Sequence, residues 1–317
     1  MAASINEVRN TVLAIANKNN YGYISPQDFN LYAKQAQMDM FEDYFYQYNH
    51  WISKENNRTS GTGYADITKG LVEVIDSFST QVFLAQNNAN TFDLPNDYYL
   101  INKLFYYSTP LFTGTNDGVN INQLLDTTAV GWTTIPASSP TPPIGSLVVN
   151  TTTLAQAYVT GVTNSTTVDL SADIFLGIGQ GYTIYSNTKI KEVERVSQNK
   201  IFYLTNSMLT APSKSYPAYV LDANVVTVYP TTILNAGDVQ SQYIRYPLDP
   251  RWTWQILTGG EPLFDATQID FQEFELPDSD EPTLIAKICQ YVGIEIREDM
   301  VYQFGGQEES LDTQETS

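Results

Sequence analysis

The chain has one cysteine, one histidine and only 16% charged residues over 317 positions. A single thiol, Cys289, excludes an internal disulfide framework and a thiolate-rich zinc site. No hydrophobic run reaches the length needed to span a bilayer. Residues 1–4 lack the basic start and apolar stretch of a secretory signal. The composition therefore predicts a chain without disulfides, membrane spans or a signal peptide.

Positive charge is also scarce, because 16 Lys and Arg face 35 Asp and Glu, for a net charge of −19. The longest basic cluster, Lys189-Ile190-Lys191, is followed directly by Glu192-Val193-Glu194. Nucleic acids bind proteins through cationic surfaces, so this charge argues against a DNA-binding enzyme. It is compatible with a wall that DNA slides past without sticking, and equally with acidity that only promotes solubility.

Familiar catalytic motifs are missing as well, including a Walker lysine motif and a Gly-x-Ser-x-Gly elbow. The glycine-rich residues 177–181 lead into a strand-like sequence, whereas a phosphate loop leads into a helix, so they are interpreted as a turn in a β domain. Cys289 lies among apolar neighbours at helical spacing and is interpreted as a buried small hydrophobe, not as a partner of His50. No catalytic residue and no cofactor is predicted, although a carboxylate pair for sugar hydrolysis stays open.

Residues 17–28 resemble an EF-hand loop when aligned on Gly22 and Ile24. Asn17 is neutral at the first ligand position, and Asp28 stands where a bidentate Glu is wanted. One carboxylate among the expected ligands predicts poor calcium affinity. The segment is therefore interpreted as a tight turn between helices, with calcium binding as a minor alternative and no metal site predicted.

What the chain does contain is a long aromatic-rich stretch that follows this turn. Ser25 is able to accept a hydrogen bond from an unpaired helix N–H, Pro26 suits the first turn, and Asp28 places negative charge at the positive end of the dipole. No Pro or Gly interrupts the sequence up to Ile52. The pattern predicts a helix about 40 Å long at 1.5 Å per residue.

Apolar residues occupy two faces of this helix. One face holds Phe29, Ala33, Ala36, Met40, Tyr44 and Trp51, and the other holds Leu31, Met38, Phe41, Phe45 and Ile52. Such a helix lies at the centre of a core, or it packs on its own domain and on a neighbouring subunit, and the sequence leaves both open. The residues proposed for core and subunit packing are Phe29, Tyr32, Met40, Tyr44 and Trp51.

Further helices are predicted at both ends of the chain. One covers residues 5–17, with Ser4 and Glu7 as a capping box, and another covers residues 65–85. Near the C-terminus a helix capped by Asp280 is expected to stop at Gly293. A short amphipathic turn at 297–304 and an acidic tail that is disordered without a partner complete the chain.

Strand-favouring residues dominate from residue 91 onward. Short strands are predicted at 182–185, 189–196, 201–205, 218–221, 225–229 and 240–246. Their turns favour antiparallel hairpins in a sandwich or barrel. The tyrosine pairs Tyr182/Tyr185 and Tyr243/Tyr246 fit carbohydrate binding, sheet packing or an interface equally well.

Together these patterns predict an α+β fold in which N- and C-terminal helices form a helical bundle with an inserted antiparallel β-sandwich or barrel region. The reason is that an isolated C-terminal helix must cover its apolar face somewhere. The predicted divisions are a helical bundle at 1–90, a β-rich domain at 91–279 with an inserted β module at about 113–175, C-terminal helices at 280–304 and the acidic tail at 305–317.

Four segments together carry a resemblance to a known family. They are NKNNYGYISPQDFNLYAKQAQMDMF at 17–41, Leu-Pro-Asn-Asp-Tyr-Tyr at 94–99, Tyr-Ile-Arg-Tyr-Pro-Leu-Asp-Pro-Arg-Trp at 243–252, and 288–305 with its Tyr-Gln-Phe-Gly ending. As a set they resemble virion proteins of crAss-like and other short-tailed bacteriophages. The resemblance covers the start and the last third of the chain but no part of 113–175.

Within that family the chain resembles a head-to-tail connector protein, which forms a ring beneath the portal. The resemblance implies a helical part against the portal, β parts toward the next tail or ring protein, and about twelve copies around one axis. It also implies a structural protein of the virion, assembled in the bacterial host cytoplasm, that lines the DNA exit channel without binding DNA specifically. No catalytic residue and no membrane partner follows from it. The alternative is a carbohydrate-binding or depolymerising tail protein built on the β domain.

Overall fold

The computed structural model describes residues 3–16, 24–56, 67–108, 110–128, 142, 144–186 and 190–296. These residues form a mixed fold of five α-helices and large β-sheets. They divide into two compact units, the first from Met1–Phe78 with Tyr246–Ser317 and the second from Ser79–Arg245. The chain therefore begins in one unit, builds the other and returns. The observed divisions fall at 78/79 and 245/246, whereas the sequence placed them at 90/91 and 279/280.

Helices from both ends of the chain share the first unit. They are α1 (Ile5–Ala16), α2 (Pro26–Asn56), α3 (Ile67–Ser77) and, after the second unit, α5 (Glu281–Ile296). Helix α5 packs against α1 and α2, and α2 also packs against α3. None of the helices in the described part of the chain has the length and apolar character needed to cross a bilayer.

The start of α2 confirms the expected cap. The backbone N–H of Asp28 donates to Oγ of Ser25 at 3.1 Å, and the Ser25 hydroxyl donates back to the Asp28 carboxylate. Pro26 occupies the first helical position, where its missing N–H costs nothing. The helix then continues to Asn56, one turn beyond the expected end at Ile52.

Three segments differ from the sequence prediction, either in where an element ends or in its type. Residues 79–85 were expected to end a helix, yet β1 (Ser79–Phe83) pairs in antiparallel register with the strand that ends at Arg245. Residues 201–205 were expected as a strand but lie in α4 (Gln198–Asn206). Gly293 does not stop α5, which continues to Ile296. In each case tertiary pairing or burial outweighs local propensity, which amounts to only about 1 kcal/mol even for a glycine.

The second unit contains a sheet of eight strands, one of which is β1. The other seven are β2 (Ala85–Asn88), β3 (Thr91–Asp93), β4 (Tyr98–Tyr107), β12 (Ile190–Arg195), β13 (Ala218–Asp222), β14 (Val225–Tyr229) and β15 (Val239–Arg245). The order is β1-β15-β4-β12-β13-β14-β3-β2. All neighbours are antiparallel except β12 and β13, which run parallel because α4 forms the crossover between them.

A second sheet of seven antiparallel strands accounts for the predicted inserted module. The strands are β5 (Pro110–Thr115), β6 (Gly118–Asn120), β7 (Gln123–Leu125), β8 (Leu147–Asn150), β9 (Gln156–Asn164), β10 (Thr167–Leu170) and β11 (Gly181–Tyr185), in the order β5-β11-β8-β9-β10-β7-β6. The module therefore extends from 110 to 185, beyond the expected 113–175 at both ends. It has a core of its own around Val148, Val159, Val168, Phe175 and Ile184.

The two sheets of the second unit meet at an aromatic cluster that includes Phe83, Tyr107 and Tyr185. Tyr107 stacks at a tilt against Phe83 and Tyr185, with ring centroids 5.4 and 5.2 Å away. The Tyr107 hydroxyl donates to Oε1 of Gln240 at 2.8 Å, and Gln240 donates in turn to Gln156 at 2.9 Å. Buried hydrogen bonds of this kind fix one arrangement of the sheets.

Side chains of α2 form hydrogen bonds to the segment that re-enters the first unit after Arg245, which we call the returning chain. Asn30 bonds both the N–H and the C=O of Trp252, at 2.9 and 3.1 Å. Gln37, which is buried, donates to the Leu248 carbonyl at 2.7 Å and accepts from the Glu275 N–H at 3.0 Å. The returning chain then forms a hairpin of β16 (Trp254–Ile256) and β17 (Pro262–Phe264) before α5.

Candidate assembly surfaces

The residues proposed for core and subunit packing lie in two kinds of place. Phe29, Met40 and Tyr44 are buried inside the first unit, and the Tyr44 hydroxyl donates to Asp280. As core residues they offer no surface to a second copy. Tyr32 and Trp51 are half-buried, Tyr32 stacked on Tyr291 and Trp51 edge-on to His50.

The tyrosine pairs considered for carbohydrate binding are mostly core residues. Tyr182, Tyr185 and Tyr243 are buried, so their rings cannot stack on a sugar. Each donates its hydroxyl to a carboxylate, at 2.7, 2.9 and 3.0 Å for Asp126, Asp238 and Asp97. Burial and this hydrogen bond both raise the pKa of Tyr182, because the neutral phenol is the form that donates. Tyr246 is exposed and packs beside Phe41 in the first unit.

A cleft of about 430 Å³ in the second unit contains a buried carboxylate. Its lining includes Thr113, Thr183, Asn235 and Asp238. Burial raises the pKa of Asp238, which is a property that many catalytic acids share. However, Oδ1 accepts from Tyr185 and Oδ2 accepts from Asn235 at 3.2 Å. The carboxylate is therefore occupied in holding the strands around it.

The remaining chemical candidates have structural explanations. Cys289 is fully buried, and burial raises the pKa of its thiol to about 12, which opposes nucleophilic use. The glycine-rich segment forms the predicted turn, with Gly179 at φ +78°, and leads directly into β11. Residues 17–23 of the EF-hand-like segment lie outside the described residues, and Asp28 is engaged by Ser25. The described part of the chain holds no group of three or more metal-ligating side chains.

The most unusual feature of the second unit is an exposed apolar surface on α4 and the turns that follow it. We call it the α4 surface, and it consists of Phe202, Tyr203, Met208, Leu209 and Tyr216. Met208 and Leu209 are 102% and 95% exposed, so they are essentially in water. These five large apolar side chains fall within fifteen residues of the chain, and contiguous exposed apolar groups on a folded protein mark a site of interaction.

Local structure holds these side chains outward. Ile201 is the only buried residue of α4 and packs with Ala218 and Val220 of β13. Beyond the helix the Ala211 N–H donates to the Ser207 carbonyl at 2.9 Å. Backbone bonds of 3.1 and 3.0 Å between Ser213 and Tyr216 close the next turn. The polypeptide thus satisfies its own hydrogen bonds while its apolar side chains face solvent.

A second apolar surface lies on the β16–β17 hairpin in the first unit. We call it the hairpin surface, and it consists of Ile256, Leu257 and, in the turn after β17, Ile269. Leu263 is exposed on the opposite face, because it pairs with Gln255 whereas Ile256 pairs with Pro262. The Trp252 ring stacks on the rings of Trp254 and Phe264, with centroids 5.9 and 5.8 Å away, which anchors the base of the hairpin. Ile269 is 105% exposed. An isolated two-stranded hairpin is only marginally stable in water, so this aromatic anchor is needed to present the surface.

The two surfaces differ in charge. No Asp or Glu occurs between Glu194 and Asp222, where the charged residues are Arg195, Lys200 and Lys214. No Lys, Arg or His occurs between Arg251 and Lys287, a stretch that holds eight acidic residues. Within it, hydrogen bonds from Thr267 and Gln268 lower the pKa of Asp265 to about 2, so this carboxylate stays ionised in all but strong acid.

A third set of exposed apolar residues lies in the turns of the seven-stranded sheet, with Ile121 between β6 and β7 and with Leu176 and Ile178 before β11. The buried Asn116 positions the loop that carries Ile178, because its Nδ2 donates to the Gly177 carbonyl at 2.7 Å and its Oδ1 accepts from the Gln180 N–H at 2.7 Å. We call this set the turn surface.

Sequence reasoning missed all three surfaces because it looked for interfaces where aromatic residues were most concentrated. The usable signal was the opposite one, namely large apolar residues such as Met208 and Leu209 within polar turn sequence and without a partner at helical or strand spacing. The acid-free run around them was a second signal. No protein-family model matches the chain, and no curated protein matches it in sequence.

Proposed function

We propose that this chain is a structural subunit of the ring that connects head to tail in a short-tailed bacteriophage. The observation that carries the proposal is the set of separate apolar surfaces, on α4, on the hairpin and in the turns of the seven-stranded sheet. A solitary globular protein rarely leaves adjacent apolar residues such as Met208 and Leu209 fully in water, whereas a ring subunit covers such residues with a neighbouring copy.

The segments that resemble connector proteins also support the proposal, because they contact one another. Asn30 and Lys34 from the first segment bond Trp252 and Asp249 from the third, with the lysine–carboxylate contact at 2.7 Å. In the other unit Asp97 from the second segment accepts from Tyr243 of the third at 3.0 Å. Segments that carry the family resemblance and lie far apart along the chain therefore contact each other within each unit.

The proposed arrangement assigns a part to each unit. The helices from both ends act as a helical bundle against the portal, and the β part, as an inserted sandwich-like region, faces the next tail or ring protein. About twelve copies surround the axis. The net charge of −19 suits a channel wall, since it disfavours adhesion of DNA that passes through. The protein then acts in the virion and catalyses no reaction.

The test is to purify the chain and examine it by native mass spectrometry and electron microscopy, alone and with the portal protein of the same phage. We expect rings, or ring density added beneath the portal. Isolated monomers under both conditions, together with absence of the chain from purified virions, would overturn the proposal.

The alternative of a carbohydrate-binding or depolymerising tail protein has lost its main support. Three of the four tyrosines that suggested it are buried and bonded to aspartates. Sugar release or glycan binding by the purified chain would revive it.

A further inference from the structure

The charge contrast between the two larger apolar surfaces suggests which of them meet. We infer that the α4 surface of one copy docks on the hairpin surface of the next copy. The inference rests on the proposed ring, and it names the contact that would build it.

Both surfaces have the composition that a docked pair requires. The α4 surface offers two exposed aromatic rings, Phe202 and Tyr203, with centroids 6.1 Å apart in an edge-on pair, and the exposed Met208 and Leu209 in the turn that follows the helix. The hairpin surface offers branched aliphatic side chains on a rigid aromatic base. Aromatic residues and methionine are enriched at the centres of protein interfaces, where aliphatic side chains fill the space between them.

Charge selects between the three possible pairings of these surfaces. Two α4 surfaces would bring Lys200 and Lys214 against their own copies, and two hairpin surfaces would bring acidic residues such as Glu261 and Asp265 together. Only the mixed pairing sets opposite charges against each other. Like charges placed across an interface repel each other, so electrostatics favours the mixed contact.

The mixed pairing has a geometric consequence. Because each copy uses two different surfaces, the contact is heterologous and every copy keeps one free surface of each kind until the assembly closes. A pair of copies joined in this way is therefore able to add a third. This is the contact type that generates rings, whereas a self-matched contact stops at a dimer.

Engineered disulfides give the most direct test. Leu209→Cys and Ile269→Cys replace exposed residues, and the native Cys289 is buried with a raised pKa, so it does not compete. Under mild oxidation the double variant should give a ladder of linked oligomers on a non-reducing gel, and each single variant should stay unlinked. Dimers of a single variant, or a double variant that links only within one chain, would overturn the inference.

A charge exchange supplies an independent test. Lys200→Glu with Lys214→Glu should weaken assembly at low salt by about tenfold or more, and adding Glu261→Lys should restore much of the loss. The matched control is Lys69→Glu with Lys191→Glu, which makes the same charge change at exposed positions elsewhere. Equal weakening by the control pair, or no recovery with Glu261→Lys, would contradict the inference.

These results separate the inference from the proposed function. Rings that form without a link between positions 209 and 269 would overturn the inference and leave the ring intact. Linking of position 209 to the portal or to a tail protein would also overturn it, because the α4 surface would then face another partner. Failure of every variant and of the native chain to assemble or to enter virions would overturn both.

Discussion

Helices α2 and α4 are both rich in large apolar residues, yet they lie in opposite environments. In α2 the rings of Phe29, Phe41 and Tyr44 are buried. In α4 the neighbouring rings of Phe202 and Tyr203 are exposed. The long helix finds partners within its own chain, in α3, α5 and the returning segment, whereas the short helix contacts mainly β13. Aromatic content therefore shows that a helix needs a partner but not whether that partner is the same molecule.

The largest expected effect separates the two helices directly. Phe41→Ala should lower the free energy of unfolding by about 3–5 kcal/mol. The reason is that the substitution removes a fully buried ring that packs edge-on against the rings of Phe45 and Phe78, with centroids 5.1 Å apart in each pair. Phe202→Ala, the matched control, should change the free energy of unfolding by less than about 0.5 kcal/mol. Urea unfolding of the monomeric form measures both. Similar losses in the two variants would remove the contrast.

A smaller effect concerns the way α2 holds the returning chain. Gln37→Ala should cost about 2 kcal/mol, because the Leu248 carbonyl and the Glu275 N–H both lose their partner. Gln35→Ala provides the control, since Gln35 lies on the exposed face and bonds only Asp39 at 2.9 Å. Thermal unfolding compares them, and an equal shift in the midpoint would contradict the role of Gln37 as a clamp.

The N-termini of α2 and α4 also differ, because only α2 has a side-chain cap. Ser25→Ala should destabilise the first unit by about 1 kcal/mol, because Ser25 caps α2 through the Asp28 N–H. Ser197 precedes α4 without a side-chain cap bond, so Ser197→Ala should have almost no effect. Hydrogen exchange in the first turn of each helix reports the difference, and equal protection loss in both would refute it.

Burial also distinguishes Asp238 from Asp265. The expected effect is a change in how steeply the free energy of unfolding depends on pH. The pKa of Asp238 is raised above 3.8 by burial, so its contribution to stability is fully present below pH 3.8 and is lost as pH rises through the raised value. Asp238→Asn should remove this decline. The pKa of the partly exposed Asp265 is lowered by its hydrogen bonds, so its contribution is lost only as pH falls through about 2. Unfolding free energies measured from pH 4 to 7 should therefore change slope in Asp238→Asn but not in Asp265→Asn.

Local sequence predicted those elements whose stability is local. The cap at Ser25, the uninterrupted helix after it, the turn at 177–181 and the burial of Cys289 each follow from neighbouring residues, and the structure confirms them. The strand β1 was missed because its pairing with β15 joins residues about 160 positions apart, which no local pattern encodes. The helix α4 was missed because a single buried residue, Ile201, fixes it in place.

The candidate site followed the same division. For the tyrosines 182, 185 and 243 the sequence left sheet packing, an interface and carbohydrate binding open, since the aspartate partners that hold them in the core come from remote turns. The exposed surfaces were missed because exposure is a property of what surrounds a residue. Of the five α2 residues predicted for core and subunit packing, the chain itself covers Phe29, Met40 and Tyr44, whereas Tyr32 and Trp51 stay half-buried.

By itself the amino-acid order determined the helical and strand-rich regions, the caps, the acidic character and the scarcity of reactive groups, because each depends on composition or on contacts between near neighbours. Only the tertiary structure decided which apolar side chains are covered and which remain in water, because burial depends on segments that meet from opposite ends of the chain. Phe29 and Met208 are both large and apolar, and it is their surroundings that make one part of a core and the other part of a surface.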